Sequence, residues 1–285
     1  MEKALKRYWP IFVLPTLAAF AIGFIYPFAQ GLYLSFCQFR NIDNVKWVGF
    51  DNYVKAFTWD PQPLTDSLKF TVAFALVSIV LINLGGFILA LALTRGVKGT
   101  NIFRTLFFMP NLIGGIVLGY IWNVLINGFL SLIGKPLIEL NPTAGFWGLV
   151  VLMCWQQMGY MMIIYIAGLQ SVPEELIEAA KIDGATKWIT LIKVKVPMVM
   201  SSITICVFLT LTNSFKLFDQ NLALTRGEPG DKTAMMALNI YNTFYGRSGQ
   251  VWKGLGQAKA VIFCLIVVVL SLAQLLTTRK REVQQ

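Results

Sequence analysis

The stretch EAAKIDGATKWITLIKVKVP, residues 178–197, places charged and small side chains together between two long apolar runs. Glu178 could form an ion pair or a hydrogen bond with a partner, and Asp183 and Pro197 would fix the geometry of the segment. The alanines and the glycine around them would let another surface come close to the backbone, and Leu176 adds an apolar contact. This chemistry is non-covalent, and it is typical of a helix that docks into a groove on another protein.

A helix, a sharp turn and a second helix are predicted to position these side chains. Pro173 suits the first position of a helix because its missing N–H would have no partner there, and two acids follow in the first turn, where the helix dipole favours negative charge. Gly184 can adopt the left-handed conformation that ends a helix. Thr186 is a candidate N-cap for a second helix, which leads through Pro197 into the next apolar run.

An amphipathic helix lying on the lipid surface is the alternative interpretation of this elbow, residues 171–197. The two acids of the first turn and Glu178 would then lie against a leaflet that is itself anionic. We therefore favour docking to a protein.

Side chains for metal or covalent chemistry are scarce. The chain has no histidine, the commonest metal ligand and general base. Its four cysteines lie one each in or beside different apolar runs, with a spacing that suits neither zinc nor a disulfide framework, and we interpret them as small buried hydrophobes. These are Cys37, Cys154, Cys206 and Cys264. We predict no metal site.

A nucleotide-binding loop is also missing. The only Gly-Lys pair is Gly134-Lys135. Phe129 stands where a P-loop needs its first glycine, and Pro136 stands where it needs serine or threonine. We therefore predict that this chain is not an enzyme that hydrolyses nucleotides.

The composition predicts a membrane protein. Of 285 residues, 56% are hydrophobic and 13% are charged, and the mean hydropathy is +0.64. A soluble domain carries about 25% charged residues. Six uncharged runs are each long enough to cross a bilayer, which takes about 20 residues: 8–39, 70–94, 105–134, 140–173, 196–215 and 260–278. The fold class predicted is an all-α membrane protein with six transmembrane helices.

The first run could be mistaken for a signal peptide. It is longer than the apolar core of such a peptide, which has about 7–15 residues. We expect a retained first helix that is kinked or entered at Pro10, Pro15 and Pro27.

Lysine and arginine predict the orientation of the chain, because they are enriched in cytoplasmic loops. An even number of spans puts both termini on one side, and 13 of the 24 basic residues fall in the short loops and tails of that side. They are Lys3, Lys6, Arg7, Arg95, Lys98, Arg104, Lys181, Lys187, Lys193, Lys195, Arg279, Lys280 and Arg281. Both termini and the elbow are therefore expected in the cytoplasm. The net charge of +10 indicates topology and contact with anionic membrane lipid rather than a nucleic-acid partner.

The loop after the first span contains GFDNYVKAF, which predicts a short helix that opens at Asp51 as its N-cap. Trp47, Phe50, Tyr53 and Phe57 would then lie at the membrane interface, where aromatic rings are enriched.

With these features together, the sequence resembles the permease subunits of binding-protein-dependent ABC importers. Their EAA signature, followed by a glycine and later a proline, is present as Glu178, Ala179, Ala180, Gly184 and Pro197, and VPEELIEAAKIDGA is similar to the version in carbohydrate permeases. GFDNY, FFMPNLIGGIVLGYIW, FDQNLALTRGEPGDKT and GLGQAKA follow in the family's order, so the resemblance covers nearly the whole chain. Their order is that of the first permease of disaccharide, oligosaccharide and glycerol-phosphate systems, although Glu228 replaces a usual glycine.

The resemblance implies the partners and the location of the chain. It would pair with a second homologous permease in the cytoplasmic (inner) membrane, with the solute path between them. A cytoplasmic ATPase dimer, which would bind ATP and Mg, would bind the elbow. An extracytoplasmic binding protein would deliver the solute. The expected coupling residues are Leu176, Glu178, Ala179, Ala180, Asp183, Gly184, Ala185 and Pro197.

The same resemblance gives a domain organisation. Residues 1–66 would form the first transmembrane helix and outer loop, residues 67–280 a five-helix permease core with the coupling loop 171–197, and residues 281–285 a cytoplasmic tail.

A carbohydrate solute directs attention to aromatic faces and to amide and hydroxyl groups, because sugars offer apolar ring faces and many hydroxyls. Such side chains in membrane helices also serve as interhelical contacts or interface anchors, and the partner permease could supply most solute contacts instead. The candidates are Tyr120, Trp122, Asn123, Trp155, Gln156, Gln157, Tyr160, Asn213, Ser214 and Asp219.

Two further classes of protein are weighed against a permease. An ion-coupled secondary transporter would need ionisable groups within its spans, and the six runs contain none. A membrane-embedded enzyme would need clustered acids or histidines, whereas Asp43, Asp51, Asp60 and Asp66 are scattered along one loop.

Overall fold

The computed structural model describes residues 2–41, 43–96 and 98–279. Within these residues the chain is almost entirely helical, with a single two-stranded hairpin. The α-helices of the first half are α1 Glu2–Phe20, α2 Tyr26–Leu34, α3 Asp51–Thr58, α4 Leu64–Leu93, α5 Thr100–Phe108, α6 Gly115–Leu132 and α7 Pro142–Gln170. Those of the second half are α8 Glu174–Ile182, α9 Lys187–Thr190, α10 Val196–Met198, α11 Met200–Phe215, α12 Asp219–Leu224, α13 Met236–Tyr245 and α14 Gln250–Arg279.

Five helical segments of the described chain are long and apolar enough to cross a membrane: Val13–Leu34, Leu64–Leu93, Gly115–Leu132, Pro142–Gln170 and Gln250–Thr277. A sixth is obtained if Lys187–Met198 and Met200–Phe215, which meet at an angle of 71°, are counted as one broken span. The prediction of an all-α membrane protein is thus confirmed, and the bend of the fifth span lies near the start of the run 196–215.

The run 105–134 is not one continuous helix. Met109–Leu112 form a 3-10 turn between α5 and α6, and Gly114 is extended (φ −60°, ψ 140°). The break follows from Pro110, which has no N–H for the helical ladder.

The first span is a continuous helix with a π-helical segment, Ala21–Ile25, between α1 and α2. The Tyr26 N–H donates to the Ala21 carbonyl, one residue further back than in an α-helix. Pro27 follows directly, and because it cannot donate, the ladder has to change register near it. A π segment thus precedes Pro27, whereas α1 runs through Pro10 and Pro15 without a break. A kink at these prolines stays a prediction.

Contacts divide the chain into two compact units. The first unit contains the chain up to Pro63 together with Ile240–Phe263, and the second contains Leu64–Asn239 together with α14 from Cys264 onwards.

The core of the second unit is formed by α4, α7 and α11. Its fully buried side chains include Phe74, Ile82, Leu149, Leu152 and Met161. Gly159 on α7 lies directly against the Phe107 carbonyl of α5, so that no side chain would fit there. A small residue at this position allows close helix packing, as is usual in membranes.

The first unit is built on the hairpin of β1, Cys37–Phe39, and β2, Val45–Trp47, which pair antiparallel with Cys37 opposite Trp47. The buried amide of Asn52 on α3 donates to the carbonyls of Ser35 and Cys37 at 2.9 and 2.8 Å. Gly254 on α14 lies directly against the same Cys37 carbonyl. The first glycine of GLGQAKA, Gly254, thus allows α14 to pack on the hairpin.

Asp51 does not have the capping role predicted for it. Phe50 is the N-cap of α3 and makes no side-chain capping bond, and Asp51 is the first helical residue. Its carboxylate pairs with Lys55 at 2.5 Å, because side chains four residues apart are neighbours on a helix. Trp47, Phe50 and Phe57 are exposed, and their place at a membrane interface stays a prediction.

Candidate functional site

The elbow contains the helix, turn and second helix that the sequence predicts. Thr186 caps α9, with its hydroxyl oxygen accepting a hydrogen bond from the Ile189 N–H at 3.3 Å. Pro173 is the N-cap of α8 rather than its first helical residue, with extended backbone (φ −58°, ψ 132°). The predicted start was one residue too early, since Glu174 is the first residue of the helix.

Gly184 ends α8 in a Schellman motif. Its φ is +76°, in the left-handed region where glycine is favoured. The Gly184 N–H donates to the Lys181 carbonyl at 3.1 Å, and the Ala185 N–H donates to the Ala180 carbonyl at 2.9 Å. The predicted residues Ala180, Gly184 and Ala185 are therefore joined in one turn by their backbones.

The elbow surface is exposed within this chain. The exposed fraction is 43% for Leu176, 86% for Ile182 and 68% for Trp188. Glu178 and Asp183 are also exposed, and among the described residues neither makes an ion pair. Exposed apolar side chains beside acids that make no ion pair within the described residues make the elbow a candidate interaction surface.

The elbow continues into α11 through an irregular helix. Leu191–Lys195 form a π segment, in which the Val196 N–H donates to the Leu191 carbonyl, and Pro197 follows in α10. This repeats the arrangement before Pro27. The chain then bends at Val199, which is buried. Pro197 thus lies at the junction between the elbow and the helix that leads into the second unit's core.

The candidate solute residues fall into separate groups within the second unit. Trp122 on α6 and Trp155 on α7 contact each other edge to face, with their ring centres 5.6 Å apart. Trp155 is 45% exposed and Tyr120 is 63% exposed. Tyr160 is half-buried, with its ring 6.3 Å from that of Phe108. Exposed aromatic faces are therefore available on α6 and α7.

A chain of amides joins α7 to α12 and to Ile113, which lies between the 3-10 turn and α6. The Gln220 amide donates to the Gln156 oxygen at 2.7 Å, and the Gln156 amide donates to the Ile113 carbonyl at 3.2 Å. A Cβ added at Gly115 would lie 2.7 Å from the Asp219 Cβ, so Asp219 is adjacent to this group. Gln156 and Asp219 are thus brought together, and Gln220 is a member that the sequence analysis missed.

Gln157 and Asn213 form a second amide pair. The Asn213 amide donates to the Gln157 oxygen at 3.0 Å, across α11 and α7. Ser214, the neighbour of Asn213, is completely buried. Both members of the amide pair are partly exposed, whereas contact with Ser214 would require a change of packing.

Asn123 takes part in a network with Asn127 and Glu139. Its amide donates to the Glu139 carboxylate and to the Leu224 carbonyl, both at 2.7 Å. Burial alone would raise the pKa of Glu139, but hydrogen bonds from Asn123 and Asn127, with the charge of Arg226, hold it below its ordinary value. The Asn123 donors are thus used inside the chain. The sequence indicated polar character here but not the partner, Glu139.

The first unit also contains a buried ionic cluster that was not predicted from the sequence. Asp60 and Lys259 are completely buried and lie 2.5 Å apart, and Arg247 donates to Asp60 at 2.7 Å. Lys259 also donates to the Thr243 hydroxyl at 3.0 Å and to the Gln62 carbonyl at 3.2 Å. Lys259 lies in the spanning segment Gln250–Thr277, just before the uncharged run. The absence of ionisable groups therefore holds for the six uncharged runs but not for the longer helices. The helix α14 begins before its run and includes Lys259, and α4 begins before its run and includes Asp66 and Lys69.

The protonation of this cluster follows from its contacts. Burial alone would raise the pKa of Asp60, but hydrogen bonds from Lys259, the Gln62 N–H and Arg247 together hold it below its ordinary value. Asp60 is therefore charged at neutral pH. In the described part of the chain, no three potential metal-ligating side chains come together.

This combination of bent spans, an exposed helical elbow and polar contacts between membrane helices defines a membrane transport component. The chain belongs to the family described as binding-protein-dependent transport system inner membrane component, whose sequence model matches residues 82–283.

Curated relatives match over nearly their whole lengths. The chain is 43% identical to the probable starch degradation products transport system permease protein AmyD of Thermoanaerobacterium thermosulfurigenes, covering 97% of this chain and 95% of the relative. It is 31% identical to the multiple sugar-binding transport system permease protein MsmF of Streptococcus mutans, covering 99% of both.

A solved structure shows the same fold. A chain of a bacterial ABC transporter involved in the import of the acidic polysaccharide alginate superposes with a TM-score of 0.80 at 21% identity, covering 98% of both chains.

Proposed function

We propose that this chain is the permease subunit of an ABC importer for a sugar or oligosaccharide, and that its elbow is gripped by a separate ATPase. The observation that carries the proposal is the elbow itself: a capped, ordered helix with Leu176 and Ile182 exposed and Glu178 and Asp183 unpaired among the described residues. A sugar as the solute is supported by the relatives, whose names refer to starch degradation products and to multiple sugars.

Docking of α8 would bury the exposed side chains of the elbow. Full burial of one leucine or isoleucine stabilises a complex by about 1.5–3 kcal/mol. Ala179 would allow close approach, and Glu178 would form an ion pair or a hydrogen bond at the socket. The lysine and arginine distribution supports a cytoplasmic elbow and cytoplasmic termini. ATP and Mg would be bound by the ATPase, not by this chain.

Movement of the elbow would pass to the membrane helices through its continuous backbone. The Schellman turn at Gly184 fixes α8 relative to α9, and the helical segments from α9 to α10 lead into α11. A docked elbow that moves with the ATPase would therefore displace α11, which packs against α4 and α7. This is a two-state change biased by nucleotide, with the path open to one side or the other.

The solute path would lie between this chain and a second, homologous permease, and an external binding protein would deliver the solute. The exposed rings of Tyr120 and Trp155 could stack on sugar faces, and the Gln157–Asn213 pair could bind hydroxyls. The other candidates, Trp122, Asn123, Gln156, Tyr160, Ser214 and Asp219, would support these groups. Most contacts could equally come from the second permease.

Ion-coupled secondary transport is the second candidate, because Asp60 and Lys259 form a buried ion pair that includes a residue of a spanning helix. Such groups mark coupling sites in secondary transporters. The pair is held on several sides by Gln62, Thr243 and Arg247, which favours a structural role, and the family favours the importer.

Uptake of labelled oligosaccharides into proteoliposomes, with the chain purified together with its accompanying subunits, tests the proposal. We expect uptake only with ATP and the external binding protein. Uptake at full rate without nucleotide, driven by an ion gradient, would contradict the importer and support the second candidate.

A further inference from the structure

A pocket of about 640 Å³ lies in the first unit and has no role in the functions considered above. Its walls come from the end of α2, the hairpin loop, α13 and the first turns of α14. The lining residues are Leu34, Phe39, Arg40, Asn41, Asp43, Phe244, Lys253 and Gln257. Apolar and charged side chains thus face one space.

The charges of the pocket favour an anion. Arg40 and Lys253 supply two cations against one acid, Asp43, and none of the three makes an ion pair within the described residues. The Lys253 ammonium lies 4.4 Å from the centre of the Phe244 ring and 5.2 Å from that of Tyr245. These rings hold the ammonium beside the pocket without neutralising it.

The pocket lies at one boundary of the membrane. Leu34 is the last residue of the span Val13–Leu34, while Lys253 and Gln257 lie in the first two turns of the span Gln250–Thr277. Neither span has any buried part of its apolar window within this chain. The end of one span and the beginning of the other therefore meet at the level where lipid phosphates lie, about 15–20 Å from the bilayer centre.

We propose that this pocket binds the phosphate headgroup of an anionic phospholipid. Arg40 and Lys253 would contact the phosphate, the amides of Asn41 and Gln257 would donate to headgroup oxygens, and Leu34, Phe39 and Phe244 would contact the apolar glycerol and acyl portion. Basic pockets beside membrane helices recognise lipid headgroups in this way. The inference requires only that the chain spans a membrane and does not depend on the solute.

Native mass spectrometry of the full chain, purified with its accompanying subunits and supplied with phosphatidylglycerol or phosphatidylcholine, tests the proposal. We expect preferential retention of phosphatidylglycerol. Lys253→Gln and Arg40→Gln should each weaken it about fivefold, the effect of one basic residue near an anionic surface. Lys46→Gln is the matched control, because Lys46 is exposed in the same hairpin but does not line the pocket.

The conservative variants Lys253→Arg and Arg40→Lys, which keep the charge, should retain the lipid and so separate loss of binding from loss of folding. The proposal would be overturned by equal retention of the two lipids, by unchanged retention in both glutamine variants, or by complete displacement of phosphatidylglycerol by an equal concentration of free glycerol phosphate. Capture of an acidic segment of another subunit by a cross-linker at Asn41→Cys, in place of lipid, would also overturn it.

Discussion

The elbow and the ionic cluster around Asp60 differ in the burial and ion pairing of their acidic side chains. In the cluster, Asp60 is completely buried and contacts Lys259, Arg247 and the Gln62 N–H. In the elbow, Glu178 and Asp183 are exposed, and no ion pair reaches them within the described chain. One set of charges is satisfied internally, and the other is available to a partner.

The difference follows from the free energy of burying charge. Moving an ion out of water costs several kcal/mol unless partners surround it, so a buried acid must have its cations inside the same fold. An exposed acid has no such requirement. The cluster therefore indicates internal architecture, whereas the elbow indicates assembly, and substitutions should separate stability in the first from coupling in the second.

Lys259→Met should give the largest loss of stability. The substitution leaves the buried Asp60 carboxylate with Arg247 as its remaining cationic partner. Breaking a buried ion pair costs about 3–5 kcal/mol. Thermal unfolding of the purified protein in detergent measures the effect. Lys55→Met on α3 is the matched control, since the Lys55–Asp51 pair is partly exposed and should contribute less than about 1 kcal/mol. Equal effects of the two substitutions would contradict the interpretation.

Acid should weaken the same cluster. The folded pKa of Asp60 lies below its ordinary value of 3.8, so its stabilising contribution is complete above that pH and is lost as the pH falls through the lower, folded value. Thermal unfolding across this range should show the stability difference between wild type and Asp60→Asn shrinking below about pH 4. A difference that stays constant down to pH 2 would argue against a charged, stabilising Asp60.

Gly184→Val should disrupt coupling while leaving membrane insertion intact. Valine at a left-handed position costs about 1–2 kcal/mol or more, and the Schellman turn would rearrange. Stimulated ATPase activity and uptake by the assembled importer measure the effect. Gly99→Val is the control, because Gly99 also has a left-handed φ, +81°, and open space around it. Full uptake by Gly184→Val would refute the coupling role.

Thr186→Ala should have the smallest effect on the elbow. It removes the N-cap of α9 and should destabilise this short helix by about 1 kcal/mol. Hydrogen exchange of residues 187–190 should become faster, with a modest loss of uptake. Thr186→Ser, which keeps the hydroxyl, should exchange at the wild-type rate; equally fast exchange in both variants would exclude the capping bond as the cause.

The same two regions show what sequence can predict. The left-handed Gly184 and the Thr186 cap were predictable because each depends on residues within a few positions along the chain. The pairing of Asp60 with Lys259 was not, since it joins residues far apart in sequence and Lys259 lies just outside an apolar run. Polar residues such as Asn123 could be chosen by type, but their partners, including Glu139, depend on helix packing that one sequence does not reveal.

Site-directed cross-linking tests the central claim most directly. Ile182→Cys in the elbow and Leu132→Cys at the end of α6 replace side chains of equal exposure, 86% each. The account predicts that a thiol-specific cross-linker joins position 182, and not position 132, to the ATPase subunit in native membranes. Labelling of position 182 from outside intact cells, or cross-linking of the ATPase to position 132 instead, would contradict it.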